Sequence, residues 1–356
     1  MKKLDWRTMN SVPTNLESNV EGHSLAQSGA GWQQQLREAV TDAETLLALL
    51  DLPQTLLAPA RRAAGLFPLR VPHAYVARMQ PGAVDDPLLR QVLPLAAEHA
   101  VVPGFSADAV GDHASAAGNG LLHKYHGRAL VVTTGACAVN CRYCFRRHFD
   151  YAEHNAGRQR WRAVIDTIAA DASIGEVILS GGDPLTLADS KLAALTDQLG
   201  AIPHVRRVRF HTRLPIVLPA RIDDAFLRYF AAIAAQRVVV VHCNHANELD
   251  APTTRALARL RDAGATVLNQ AVLLKGVNDD VDALADLSEA LFDAGVLPYY
   301  LHLLDRVAGT AHYEVSSTRG RELVKALAAR LPGYLVPKLA RETAGAPAKS
   351  VLGYHF

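Results

Sequence analysis

Short runs of β-branched and aliphatic residues recur along the last two-thirds of the chain, and amphipathic stretches separate them. The runs are Ala129–Thr134, Glu176–Ser180, Arg206–Thr212, Arg237–Cys243, Thr266–Val272 and Leu297–Leu301. Apolar residues return at helical spacing over Arg160–Asp171, Ser190–Leu199, Asp223–Ala235, Pro252–Ala263, Val281–Ala294 and Thr318–Arg330. Strand-then-helix units of roughly 30 residues predict parallel strands joined by right-handed crossovers. A closed eight-unit barrel takes about 250 residues, more than this region offers. The expected fold is therefore α/β: a partial, TIM-like (β/α)6 barrel of parallel strands, with a doubly wound sheet as the alternative.

The chain before Arg128 reads differently. Trp32–Asp51 carries Leu36, Val40, Leu46, Leu47 and Leu50 at helical spacing, and a second helical segment is expected over Asp86–His99. Prolines and glycines such as Pro68, Pro72, Pro81, Gly82, Pro103 and Gly104 interrupt the rest. This predicts an N-terminal helical extension over residues 1–120, a core over 121–335 and a C-terminal segment over 336–356. The stretch from Leu331 to Phe356 offers no clear element.

Composition narrows the class. Of 356 residues, 49% are apolar and 20% charged, enough for a sizeable core and too apolar for a disordered chain. Lys plus Arg number 37 against 35 Asp plus Glu, so the charge balance of +2 gives no reason to expect nucleic acid. No apolar run approaches the roughly 20 residues of a membrane helix. The opening MKKLDWRTMNS has no apolar core behind its lysines, as a secretory signal would. A cytoplasmic protein with no membrane partner is expected.

The cysteines change the picture most. There are four, and Cys137, Cys141 and Cys144 fall within eight residues. Disulfides at that spacing would be strained and would leave a thiol over, so metal ligation is the better reading. The triplet follows the first run, at the strand end where parallel α/β folds build active sites. Three thiolates can hold three irons of a cubane cluster and leave the fourth iron open for chemistry. Zinc needs a fourth ligand, for which His148 is available, and the loop's position favours the open cluster over it. Cys243, at the end of a later strand, reads as a buried small residue.

The stretch Cys137-Ala-Val-Asn-Cys141-Arg-Tyr143-Cys144 resembles the radical S-adenosylmethionine signature. Further motifs resemble the lysine 2,3-aminomutase family: His123-Lys-Tyr-His-Gly-Arg128, Ser180-Gly-Gly-Asp-Pro184, His211-Thr-Arg-Leu-Pro-Ile-Val-Leu-Pro219, Asn269-Gln270 and Pro298-Tyr-Tyr300. Gly333-Tyr-Leu-Val-Pro-Lys338-Leu-Ala-Arg-Glu342 is similar to the short branch that makes β-lysine for modifying elongation factor P.

The resemblance implies an isomerase that moves the α-amino group of L-lysine to the β-carbon. Its cofactors would be a [4Fe-4S] cluster on Cys137, Cys141 and Cys144, S-adenosylmethionine and pyridoxal phosphate. Gly181, Gly182, Asp183, His242 and Gln270 match contacts to S-adenosylmethionine, although Asp183-Pro184 alone would read as a helix start. Tyr125 and Arg128 match the phosphate contacts of pyridoxal phosphate. Lys349 matches the lysine that links to it covalently, with Lys338 as rival. Arg146 matches the group that takes the substrate carboxylate, and Asp305 and Glu342 match the pair that holds the ε-ammonium. Two carboxylates at the substrate's far end favour a cationic side chain over glutamate. Glu342 stands where an aspartate is usual, and Asp280 stands where a zinc-binding cysteine is found in longer relatives, so no zinc is expected.

The implied partners are L-lysine and, functionally, elongation factor P and its lysyl ligase; oligomerisation is left open. Alternatives are a radical aminomutase for ornithine or glutamate and, in another class, a non-catalytic iron–sulfur electron-transfer module.

Overall fold

The computed structural model describes residues 31–112, 120–151 and 158–355. Its strands form a single sheet in chain order: β1 Leu121–Tyr125, β2 Arg128–Thr134, β3 Glu176–Gly181, β4 Arg207–Thr212, β5 Gln236–Val241, β6 Thr266–Leu273, β7 Leu297–Leu303, β8 Lys338–Arg341 and β9 Ser350–Val351. Strands β2 to β8 pair parallel. β1 and β9 pair antiparallel at the two edges, so the sheet curves as an open partial barrel. The helices Arg158–Ala170, Asp189–Gly200, Asp224–Ala231, Ala251–Asp262, Val281–Asp293 and Ser317–Arg330 follow strands β2 to β7 in turn.

The six predicted runs are β2 to β7, and the predicted helices stand close to their expected bounds. The tail departs from expectation. Leu331–Phe356, read as lacking an element, contains β8 and β9. Only Leu339 and Ala340 of β8 are buried, a pattern too short to register in sequence. Pairing of Tyr300, Leu301 and His302 with Lys338, Leu339 and Ala340 supplies what the local sequence lacks. β1 was also unexpected; it turns into β2 through His126 and Gly127, the glycine at φ +75°.

The upstream segment is less helical than its periodicity suggests. Trp32–Asp51 divides into helices Trp32–Arg37 and Ala43–Leu49, the second capped by Asp42, which accepts from Thr45 N at 2.8 Å. Asp86–His99 is not an α-helix but 3₁₀ turns at Leu89–Gln91 and Ala96–His99. Pro87 and Pro94 break the helical hydrogen-bond ladder there. The N-terminal stretch Met1–Ser11, read as lacking a signal, lies outside the described residues. No helix among them is long and apolar enough to cross a membrane.

This segment wraps the cysteine loop. Asn140 N donates to Arg70 O and Arg142 N to Gln91 O, both at 2.9 Å. The Arg142 guanidinium donates to Phe67 O at 2.7 Å and to both oxygens of Glu98 at 2.8 and 2.5 Å. Arg147 Nη2 reaches Glu98 Oε2 at 2.6 Å. All three charged side chains are buried. The Phe67 ring lies 5.1 and 5.0 Å from the two guanidinium carbons.

Side chains on β4 alternate. Val208, Phe210 and Thr212 are buried, while the less buried Arg209 and His211 line a cavity inside the sheet's curve. The barrel interior is therefore a chamber with polar walls.

Candidate active site

The cavity holds about 310 Å³ and runs from the cysteine loop to Arg128 at the start of β2. Cys137, Cys141 and Cys144 all line it. Burial pushes the Cys137 thiol well above its usual range. Burial, with Cys141 adding to it, lifts Cys144 to about 11. Metal ligation at these sulfurs has protons to displace. Among the described residues, no three His, Cys, Asp or Glu side chains converge on a point that one metal ion could occupy. A cubane asks for a different arrangement, with each thiolate on its own iron, and three thiols around one chamber suit it. Cys243 is buried outside the cavity, its Sγ 3.4 Å from His245 O. The ring of His148 bonds to Ala308 O instead.

Gly181 and Gly182 end β3 beside the start of the cysteine loop. A Cβ on Gly182 would sit 2.3 Å from Ala136 O, and one on Gly181, at φ +115°, would sit 2.6 Å from Thr134 O. Backbone bonds Gly182 N to Thr134 O and Asp183 N to Ala136 O seal the contact at 2.7 and 2.8 Å. Any side chain here would displace the loop, which is reason enough for glycine at both positions.

Asp183 is the structural fastener of this corner. Its oxygens accept from Leu185 N, Thr212 Oγ1, Arg213 N and Leu214 N at 2.7–3.0 Å, tying the ends of β3 and β4 together. Burial raises its pKa, and these bonds oppose the shift. The carboxylate serves as the cap its Asp-Pro context suggested.

In the wall of the same chamber, Gln270 and His242 pair at 2.9 Å. Burial and the positive charge of Arg213 hold His242 down to about 3, so it is neutral at physiological pH. Arg146 donates through Nε to Asp112 at 2.7 Å and lies 3.3 Å from Ser180 Oγ. Arg128 stacks over the Tyr125 ring at 4.7 Å. Lys349 Nζ stands 3.4 Å from both Glu342 Oε2 and His302 Nε2, and 5.7 Å from the centre of the Tyr300 ring. Lys338, by contrast, is exposed and absent from the cavity wall. Asp305 faces the same space, where burial and the nearby Glu342 charge raise it to about 7. The residues that the resemblance matches to the cluster, S-adenosylmethionine, pyridoxal phosphate and substrate all line this one chamber, whereas Lys338, His148, Cys243 and Asp280 do not.

Sequence reasoning missed several neighbours. Lys124 bridges Asp112 and Glu342 at 2.5 and 3.1 Å, so the carboxylate expected to face substrate already holds two lysines. Arg209, His211 and His302 also face the cavity. Their signal was present in the alternation of Arg209 and His211 with Val208 and Phe210, and of His302 with Leu301 and Leu303. Arg209 Nε and His211 Nε2 are buried without a hydrogen-bond partner among the described residues. Such atoms in a cavity wall suit a polar ligand. A lysine amine, guanidinium groups and aromatic faces together fit a phosphorylated aromatic aldehyde such as pyridoxal phosphate.

The Radical SAM superfamily model matches residues 131–288. A relative from Escherichia coli (strain K12) named L-lysine 2,3-aminomutase is 52% identical over 323 residues, 90% of this chain and 94% of the relative. One of the same name from Haemophilus influenzae is 46% identical over 320 residues, 90% and 95% of the two chains. Another, from Clostridium subterminale, is 30% identical over 90% of this chain and 77% of its own. The chain therefore belongs to the lysine 2,3-aminomutase family of radical S-adenosylmethionine proteins.

Proposed function

We propose that the protein converts L-lysine to β-lysine by moving the amino group from C2 to C3. The observation that carries this reading is one chamber lined by the three cysteines and by Lys349, Arg146 and Asp305. When bound, the cluster with S-adenosylmethionine supplies a hydrogen-abstracting carbon radical, and pyridoxal phosphate carries the migrating nitrogen.

The chain's own residues do the positioning. Cys137, Cys141 and Cys144 hold the cluster, and the Gly182 contact fixes the loop that presents them. Neutral His242 and Gln270 offer hydrogen bonds to S-adenosylmethionine without adding charge. Arg128 and Tyr125 take the phosphate, and Lys349 binds the aldehyde. Arg146, fixed by Asp112, presents a planar fork suited to the substrate carboxylate. Asp305 takes the ε-ammonium. Glu342 is shared between Lys124 and Lys349, so Asp305 is the better-placed carboxylate for the substrate cation. This choice of a cation disfavours glutamate.

The likeness of residues 333–342 to the short branch supports a further step, in which β-lysine is consumed by ligation to elongation factor P. A non-catalytic iron–sulfur module has no use for a lysine amine and an arginine fork in the same chamber.

An anaerobic assay with S-adenosylmethionine, reductant, pyridoxal phosphate and L-lysine is expected to yield β-lysine. Production of 5′-deoxyadenosine with no β-lysine would refute the substrate. Lys349→Ala is expected to abolish the visible absorbance of lysine-linked pyridoxal phosphate and Lys338→Ala to preserve it; the reverse would overturn the assignment. The raised Asp305 adds a pH signature. Its ionised fraction climbs from about one-tenth to nine-tenths between one unit below and one unit above its midpoint near 7. The half-saturating lysine concentration should therefore fall up to about tenfold from pH 6 to pH 8. Asp305→Asn should raise that concentration and flatten the dependence. An Asp305→Asn profile as steep as wild type would reject the role.

A further inference from the structure

Arg213 follows β4 and points into the cysteine loop. Its Nη1 donates to Cys141 Sγ at 2.8 Å. Its Nη2 is held from three sides, by Gln91 Oε1 at 2.7 Å and by Tyr75 Oη and Glu248 Oε2 at 3.0 Å. Its main-chain N–H is fixed by Asp183 Oδ2 at 2.7 Å. The side chain is 7% exposed and that of Glu248 is fully buried, so water screens this pair little. Gln91 and Tyr75 come from the N-terminal segment and Glu248 from the turn after β5, which leaves the guanidinium little freedom to turn away.

We propose that Arg213 is a positioning residue that sets the reduction potential of the cluster through Cys141. The inference rests on the cysteine-held cluster of the preceding reading. Reduction brings one electron from an external low-potential donor and breaks no bond. A cubane on three thiolates passes from one net negative charge to two. A cation hydrogen-bonded to one of its sulfurs stabilises the more negative state and raises the potential. Glu248 opposes this, since its carboxylate offsets part of the guanidinium charge. The two residues therefore act with opposite sign on the same sulfur.

The test is an anaerobic redox titration of the reconstituted protein against dithionite, followed by the electron paramagnetic resonance of the reduced cluster. Arg213→Gln is expected to move the midpoint to more negative potential by about tenfold in the reduction equilibrium, 59 mV for one electron. Arg213→Lys should recover part of that shift. Glu248→Gln should move the midpoint the other way. Midpoints equal to wild type in Arg213→Gln and Glu248→Gln would overturn the proposal. If Arg213→Gln fails to assemble a cluster, Glu248→Gln decides alone, and an unchanged or more negative midpoint overturns it. A wild-type protein that assembles no cluster would refute the cluster reading itself, and this inference with it.

Discussion

A carboxylate shut off from water, Glu98, holds two arginines of the cysteine loop, and the site's geometry depends on that pairing. Arg142 lies between Cys141 and Cys144 in sequence, and Arg147 lies three residues beyond. Both guanidinium groups end on Glu98 and flank the Phe67 ring. Removing one partner of such a buried pair typically costs about 3–5 kcal/mol, because the remaining charge is left unpaired. The N-terminal segment thus anchors the loop that carries the thiols. It also supplies Tyr75 and Gln91, which aim Arg213 at Cys141.

The barrel supplies the second constraint. Strand periodicity sends alternate side chains inward, and here many of those are polar: Arg209, His211, His242, Gln270 and His302. An interior of this kind does not pack as an ordinary core. Stability comes from the outer layer, where Val208, Phe210, Leu257, Leu260, Leu284 and Leu323 are buried. The chamber is left free to hold ligands. Burial there keeps His242 neutral and lifts Asp305 toward neutrality, so the charge inside is set by a few lysines, arginines and carboxylates.

How far this was legible varies with the range of the forces. The strands β2 to β7 and their helices were visible because each carries its own apolar period. β8 was not, since two buried residues make no pattern and its place is fixed by β7. The 3₁₀ turns over Leu89–His99 were obscured by an apolar spacing that Pro87 and Pro94 override. The cysteine triplet, the glycines and Lys349 were legible as motifs. Lys124, Asp112 and Arg213 were not, because their roles arise from partners far away in sequence, such as Glu342 for Lys124 and Glu248 for Arg213. Gly182 also meets a requirement that no motif displayed: the backbone of the cysteine loop already occupies the space a side chain would need.

The claim that Glu98 orders the cysteine loop is tested most directly by amide hydrogen exchange on the cluster-free protein, wild type against Glu98→Gln. In the wild type, Asn140, Arg142 and Cys144 donate to Arg70, Gln91 and Cys141 carbonyls and should exchange slowly. In Glu98→Gln, exchange across residues 137–147 should accelerate at least about tenfold while strands β4 to β6 keep their protection. Equal exchange in the two proteins would contradict the account.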